Sequence, residues 1–151
     1  MTRRFPEYPI VSVGAVIVSD ADRVLLARRA HEPLKGEWSL PGGVVDVGET
    51  LDAAVQREAL EETGLVVSVG PIVEVLDRIH VDADGRVEFH YVIVDYLCRP
   101  IGHSEAVAGS DAEAVRWVRE DALDDCRLTE SANAVVRKAF AMCRAEATRP
   151  R

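Results

Sequence analysis

Cysteine is scarce in this chain, and what there is cannot pair into a framework. Cys98, Cys126 and Cys143 are odd in number, widely spaced and form no CxxC motif. That pattern argues for buried or free thiols in a reducing compartment, hence the cytoplasm, and excludes a disulfide scaffold. No neighbouring group lowers a thiol pKa in any readable way, so a catalytic thiol is not expected. Positive charge is also short: 18 Lys and Arg against 26 Asp and Glu leave a net charge of −8, and Lys35 and Lys138 are the only lysines. A broad nucleic-acid surface, which needs clustered basic residues, is thereby excluded. A small phosphorylated substrate is not, because a bound divalent cation reverses the local field. Long apolar runs are missing as well. The N-terminal stretch MTRRFPEYPIVSVGAVIVSD has basic residues before an apolar run, but Pro6, Glu7 and Pro9 interrupt the approach and the run is too short to span a bilayer. It reads as a first strand, and no membrane partner is expected.

What remains has the composition of an ordinary globular protein, 48% hydrophobic and 29% charged. A length of 151 residues fits one domain over residues 1–151, able to bury roughly two thirds of its unfolded surface. Residues 9–20 are rich in β-branched side chains and end at Asp20-Ala21-Asp22. Residues 23–29 follow directly, so the two segments predict a hairpin. HEPLKGEW is polar and broken by Pro33 and Gly36, hence a loop, and WSLPGGVV reads as a short extended piece around a Pro-Gly-Gly turn. A helix follows, with Thr50 as N-cap, Asp52 at the positive end of its dipole and Gly64 placed to stop it in a left-handed conformation. Residues 65–81 and 86–100 are two long strand-like runs joined at Asp82-Ala83-Asp84-Gly85. AVRWVRE reads as another short strand. From Thr129 to about Glu146, Ala132, Val135, Val136, Ala139, Phe140 and Cys143 recur at helical spacing and predict an amphipathic helix closing the core. Helices separated by strands around a mixed sheet indicate an α/β or α+β sandwich.

The first helix poses a problem. Six carboxylates fall within the seventeen residues from Asp46 to Glu62. At about 100° per residue, Glu62 lies about 40° to one side of Glu58 and Glu61 about 60° to the other. All three project into one sector, where like charges repel. Arg57, four residues before Glu61, can pair with it. A solvated acidic face would be the ordinary reading, yet Leu51, Ala54 and Val55 share the sector, and a Gly-rich turn lies just upstream where a small ligand could approach the backbone. A hard divalent cation would relieve the repulsion and take carboxylate oxygens as ligands.

The spacing Gly43, Glu49, then REALEETGL reads G-x5-E-x7-R-E-U-x-E-E-x-G-U, with U bulky and apolar. It resembles the Nudix box, the signature of the Nudix hydrolases. All seven fixed positions are present: Gly43, Glu49, Arg57, Glu58, Glu61, Glu62 and Gly64. Ala59, smaller than the usual aliphatic residue, is the one soft departure. The resemblance implies a Nudix-like α/β/α sandwich around a central mixed sheet, and a metal-dependent hydrolase of a nucleoside diphosphate linked to another moiety. It implies Mg²⁺ or Mn²⁺ held by Glu58 and Glu62, with Glu61 a ligand or water-bridged and a backbone carbonyl of the Gly42-Gly43 turn joining them. Arg57 and Glu49 would hold the carboxylates in place, and Gly64 would end the helix. Glu58 is the first choice of general base; Glu105 and Glu113, on the later loop, are alternatives whose ordinary reading is a solvated surface residue. Arg29, then Lys35, are the favoured phosphate contacts, with Gly43 beside them, because strand alternation sends Arg28 and Arg29 to opposite faces. Trp38 reads as core more readily than as a base-stacking residue. His80 and His90 read as structural, while Glu88, Phe89 and Tyr91 are placed to line a base pocket.

The substrate stays open between ADP-ribose or a nucleotide sugar, which the run RVEFHYVIVDYLCRP favours by similarity, and a (d)NTP, including oxidised forms. The proline that ADP-ribose-specific members often carry some fifteen residues beyond the box is replaced by Val81, and Pro71 comes too early. The longer hallmark of NADH pyrophosphatases is absent, and no tyrosine stands where diadenosine polyphosphate hydrolases tend to have one. Two rival classes are a Nudix-like nucleotide sensor without hydrolysis and a non-catalytic acidic interaction domain. Intact box glutamates and the absence of a visible basic helix favour the enzyme. A homodimer is compatible with this reading.

Overall fold

The structure, a computed structural model, describes residues 3–32 and 34–149; Pro33, read above as a loop breaker, lies outside them. In chain order the elements are β1 (Ile10–Ile17), β2 (Arg23–Arg29), β3 (Trp38–Ser39), β4 (Gly42–Val44), helix α1 (Leu51–Thr63), β5 (Val67–Val81), β6 (Val87–Pro100), β7 (Ala112–Arg119), a 3-10 helix over Glu120–Cys126, and helix α2 (Glu130–Ala147). The strands form two sheets. A mixed four-stranded sheet runs β4-β1-β6-β5, and a three-stranded sheet runs β3-β2-β7. Within the first, β1 is parallel to β6 and antiparallel to β4.

Helix α1 carries the ends expected of it. The Thr50 hydroxyl accepts the Ala53 N–H at 3.2 Å, and Gly64 closes α1 at φ 73° with its N–H on the Leu60 carbonyl. Thr129 caps α2 in the same way, accepting from Ala132 N at 3.2 Å. The Asp82–Gly85 connection is the tight turn between β5 and β6, with the Asp82 carboxylate accepting from the Asp84 and Arg86 amides at 2.9 Å each.

The sheets are covered on both sides. On one side α1 packs Ala54, Val55 and Ala59 against Val13, Ala15, Val94 and Tyr96 of the mixed sheet. On the other, α2 packs all six predicted residues, Ala132 through Cys143, with Val135, Val136 and Phe140 against Val16, Leu97 and Val118. This is the expected α+β sandwich with a mixed sheet between helices. Alternation along β2 sends Val24 and Leu26 into the second of these cores and Leu25 into the first, so one strand feeds both.

The expected β1–β2 hairpin is corrected. The two strands meet only at the isolated bridge Val18–Val24 and then diverge into different sheets. The reason is that both edges of β1 are already paired, along β4 and β6, and those of β2 along β3 and β7. The Pro-Gly-Gly segment is likewise not a turn. Gly42 and Gly43 are strand residues of β4, paired with Gly14 and Val13.

Candidate active site

The row of residues across the mixed sheet explains why β4 begins with two glycines. A Cβ at Gly42 would strike the Val13 carbonyl oxygen, and one at Gly43 would strike the Glu58 carboxylate. The backbone of β4 is therefore pressed between β1 and the carboxylate face of α1: at Gly42 only glycine fits, and at Gly43 a side chain would displace the Glu58 carboxylate. The Gly42 N–H donates to Glu62 Oε2 at 3.1 Å, which ties the helix to the strand.

Arg57 organises the rest. Its Nε donates to Glu49 Oε2 at 2.7 Å and its Nη2 to Glu49 Oε1 at 2.9 Å, a bidentate pair; Nη2 also reaches the Val44 carbonyl at 3.1 Å. Nη1 donates to Glu58 Oε1 at 2.7 Å and to Glu61 Oε2 at 3.3 Å, the latter the predicted i,i+4 pair. Glu49 in turn accepts the Asp46 amide at 3.1 Å. The Arg57 hydrogen bonds and this amide hold the Glu49 carboxyl down to about 2. The same bonds raise the Arg57 pKa further above its already high ordinary value. One guanidinium thus holds three box glutamates, and the repulsion noted in the sequence is met in part by Arg57 itself.

Two carboxylates remain costly. Glu58 is 9% exposed, and burial raises its pKa against the opposing pull of Arg57. Burial pushes the Glu62 carboxyl up to about 8, with the Glu58 charge adding to the rise and the Gly42 amide and Arg29 opposing it. Both line a cleft of about 300 Å³ between the two sheets. Arg29 lines it too, and burial lowers its pKa, aided by the nearby charge of Arg78. Arg28 also lines the cleft, contrary to the expectation that alternation would admit only one of the pair. A register shift between Arg28 and Arg29 opposite β7 breaks the alternation, and Arg28 is held by Glu113 at 2.9 Å.

Lys35 does not join the cleft. It is exposed in the loop between β2 and β3, away from the lining residues. Glu105 and Glu113 are also outside the lining. Trp38 is half-buried against the α2 core with the Arg116 guanidinium 5.4 Å over its ring. Of the candidate base-pocket residues, Tyr91 lines the cleft and stacks on Phe89 at 6.4 Å between centroids, whereas Glu88 binds Arg4 at 2.8 Å. Residues that the sequence reading passed over also line the cleft: Ser12, His31, Arg78, Asp95 and Asp111. His31 Nε2 lies 3.5 Å from Asp111 Oδ1 at the rim. One signal was readable, since Asp95 interrupts the apolar run YVIVDYLC where a buried charge needs a reason.

Among the described residues, no three His, Cys, Asp or Glu side chains are grouped to hold a metal ion as they stand. The cause is visible, because Glu58 and Glu61 are turned onto Arg57. The donor chemistry nevertheless suits a hard cation. Glu58 is buried and Glu62 half-buried, and burial outweighs the pull of Arg57 on the one and of the Gly42 amide and Arg29 on the other, which is the condition a divalent ion corrects.

The comparisons with known proteins agree with this geometry. A family model described as NUDIX domain matches residues 9–141. An ADP-ribose pyrophosphatase of Methanocaldococcus jannaschii is 38% identical over 110 residues, 73% of this chain and 62% of that protein. The chain therefore spans less than two thirds of that relative. The 8-oxo-dGDP phosphatase NUDT18 of Homo sapiens is 47% identical over 53 residues, 35% of this chain and 16% of that one. Among solved structures, a MutT NUDIX hydrolase from Burkholderia pseudomallei aligns at a TM-score of 0.73 with 35% identity, covering 87% of this chain and 98% of that one. With an intact box on a capped helix, its carboxylates facing a cleft, and these relatives, the chain belongs to the Nudix hydrolase family.

Proposed function

We propose that this protein hydrolyses the pyrophosphate of a nucleoside diphosphate linked to another moiety, with ADP-ribose or a nucleotide sugar as the favoured class. The observation that carries the reading is the placing of buried Glu58 and half-buried Glu62 with half-buried Arg29 along one cleft. An acidic wall able to take Mg²⁺ or Mn²⁺ thus faces a guanidinium able to take phosphate oxygens.

Glu58 and Glu62, with Glu61 and the Gly42 carbonyl, are the groups that would hold the cation. When bound, it neutralises charge on the phosphate oxygens and lowers the pKa of water. Glu58 is the assigned general base: its carboxylate receives the proton of the attacking water, and Arg57, on Oε1, fixes its orientation. Glu49 positions Arg57 and Gly64 ends the helix so that Glu61 and Glu62 occupy its last turn. Arg29 binds and orients the phosphate, and its desolvation strengthens that contact. The bare backbone of Gly43 lets the Glu58 carboxylate lie against β4 at the edge of the cleft.

The name of the archaeal relative supports ADP-ribose. A second reading, a (d)NTP or oxidised nucleotide, is supported by the shorter match to the human 8-oxo-dGDP phosphatase. The test is release of phosphate after coupled phosphatase treatment. The panel is ADP-ribose, nucleotide sugars, dinucleoside polyphosphates and (d)NTPs, each with Mg²⁺, Mn²⁺ or EDTA. Metal-dependent turnover of one class, lost in Glu62→Gln, is the expected result. Absence of turnover across the panel by folded, metal-binding protein overturns the reading.

A further inference from the structure

The floor of the cleft carries two buried polar side chains that the hydrolytic scheme above does not use. Across the mixed sheet, Gly42, Gly14 and Asp95 stand in one row, and Val44, Ser12 and Ile93 in the next. Because side chains alternate, Ser12, Gly14 and Asp95 share one face, the face that floors the cleft. Asp95 is 3% exposed and Ser12 8%. Among the described residues neither side chain makes a hydrogen bond or close ion pair; Asp95 feels only the longer-range charges of Arg78, which favours its ionised form, and Glu74, which opposes it. The reason Asp95 fits at all is Gly14, where a Cβ would strike Asp95 Oδ1. The carboxylate therefore lies over a bare backbone and opens onto the cleft.

A buried carboxylate without a partner is expensive, and such a group is retained where a ligand supplies the partner. The position narrows what that ligand is. Asp95 is two strand spacings, roughly 10 Å, from Gly42 and the Glu62 end of the cleft. It therefore lies beyond the diphosphate and meets the group attached to it. The like charge of Asp95 disfavours a phosphate directly over it, and the phosphate's place is nearer Arg29 and Arg78. Tyr91, Ile93 and Leu76 on the same face suit a flat ring, while Arg78, which also lines the cleft, and Glu74, the cross-strand neighbour of Asp95, bring opposite charges to its edge. A carboxylate beside an apolar platform accepts N–H donors, the pattern by which acidic side chains read amino groups of bases.

We propose that Asp95, with Ser12 beside it, is a specificity residue that accepts hydrogen bonds from the exocyclic amino group of a nucleobase, so that the cleft selects nucleotides of amine-bearing bases. This inference rests on the nucleotide hydrolase reading but is tested separately from it. Substrates are compared in pairs in which one amino group is replaced by hydrogen: ADP-ribose against its 6-unsubstituted purine analogue, and dGTP against dITP. The readout is the ratio of kcat/KM within a pair, for the wild type and for Asp95→Ala and Asp95→Asn, each checked for folding by thermal melting. In parallel, calorimetry without metal compares AMP with purine riboside monophosphate, and GMP with IMP.

The wild type is expected to prefer the amine-bearing member of one pair by roughly 10- to 100-fold, as suits a hydrogen bond to a charged acceptor. Asp95→Ala removes the preference, and Asp95→Asn, which keeps the shape, reduces it at least about threefold. A ratio that both variants leave unchanged overturns the proposal while the hydrolase reading stands. An equal loss for both members of a pair also overturns it, and assigns Asp95 to a hydroxyl of the sugar. Should the wild type turn over nothing, the hydrolase reading fails alone, and the monophosphate binding ratios still decide the role of Asp95.

Discussion

Arg57 grips Glu49 with both arms of its fork, Nε at 2.7 Å from Oε2 and Nη2 at 2.9 Å from Oε1, while its third nitrogen holds Glu58. The glutamate in the loop before α1 thereby sets the orientation of the glutamate on α1. Arg57→Lys keeps the charge but loses the fork. We expect kcat to fall about 10- to 100-fold, with KM changing less and the melting curve retained. An unaltered kcat would show that Glu58 does not depend on this clamp.

The two glycines of β4 should respond differently to alanine. At Gly42 the added methyl meets the backbone oxygen of Val13, which has no room to retreat. Gly42→Ala is expected to destabilise by about 1–3 kcal/mol in a urea melt. At Gly43 the methyl meets the end of the Glu58 side chain, which rotates away. Gly43→Ala is expected to fold with near-normal stability and to lose most of its turnover. Equal stability loss in both would contradict the geometry.

Glu62 gives the metal-free protein a pH dependence of definite sign. Its carboxyl is pushed up to about 8 from an ordinary 4.5, so between those values the folded chain holds a proton that the unfolded chain has released. Stability is therefore fullest below about 4.5 and declines as pH rises toward about 8. Asp95, pushed up to about 6, adds a decline of the same sign at the acid end. Melting temperatures measured in EDTA from pH 5 to pH 8 should fall, and Glu62→Gln should flatten the curve. Metal binding needs the carboxylate and releases the proton, so the stabilisation by Mg²⁺ or Mn²⁺ should grow over the same range. A stabilisation independent of pH would remove Glu62 from the ligand set.

The cysteines offer a simple check on the core. All three are buried and unpaired, and burial pushes the Cys98 thiol up to about 12. A thiol reagent should titrate three groups in denaturant and react slowly with Cys98 in the native protein. Reductant should leave the melting temperature unchanged.

How much of this was legible beforehand depends on the range of the interaction. The caps of α1 and the turn at Asp82–Gly85 were readable, because capping and turn chemistry act within three or four residues. The carboxylate face was readable because helical periodicity places Glu58, Glu61 and Glu62 together without reference to the rest of the chain. The split of β1 and β2 into separate sheets was not. It is decided by β6 and β7, some eighty residues downstream, which occupy the edges a hairpin would have used. For the same reason Asp95 was missed, since its meaning comes from Gly14 on the neighbouring strand rather than from its own segment. Arg28 was misplaced because a bulge cannot be seen in an alternation rule.

The segment before β7 has no regular structure, yet it is sewn to the last turn of α1. The Val107 amide donates to the Thr63 carbonyl at 2.8 Å, and the Gly109 amide to the Glu62 carbonyl at 3.0 Å. These are carbonyls that a helix end leaves without partners. A Cβ at Gly109 would strike the Glu61 carbonyl oxygen, so the segment lies flush against the helix. It leads into Asp111, which lines the same cleft as Glu62 and whose charge adds to the rise in the Glu62 pKa. Mechanically, then, the segment and the carboxylate turn are one body. Displacement of the segment would therefore strain the last turn of α1, and the amides of Val107 and Gly109 are protected from solvent exchange for as long as these two bonds hold.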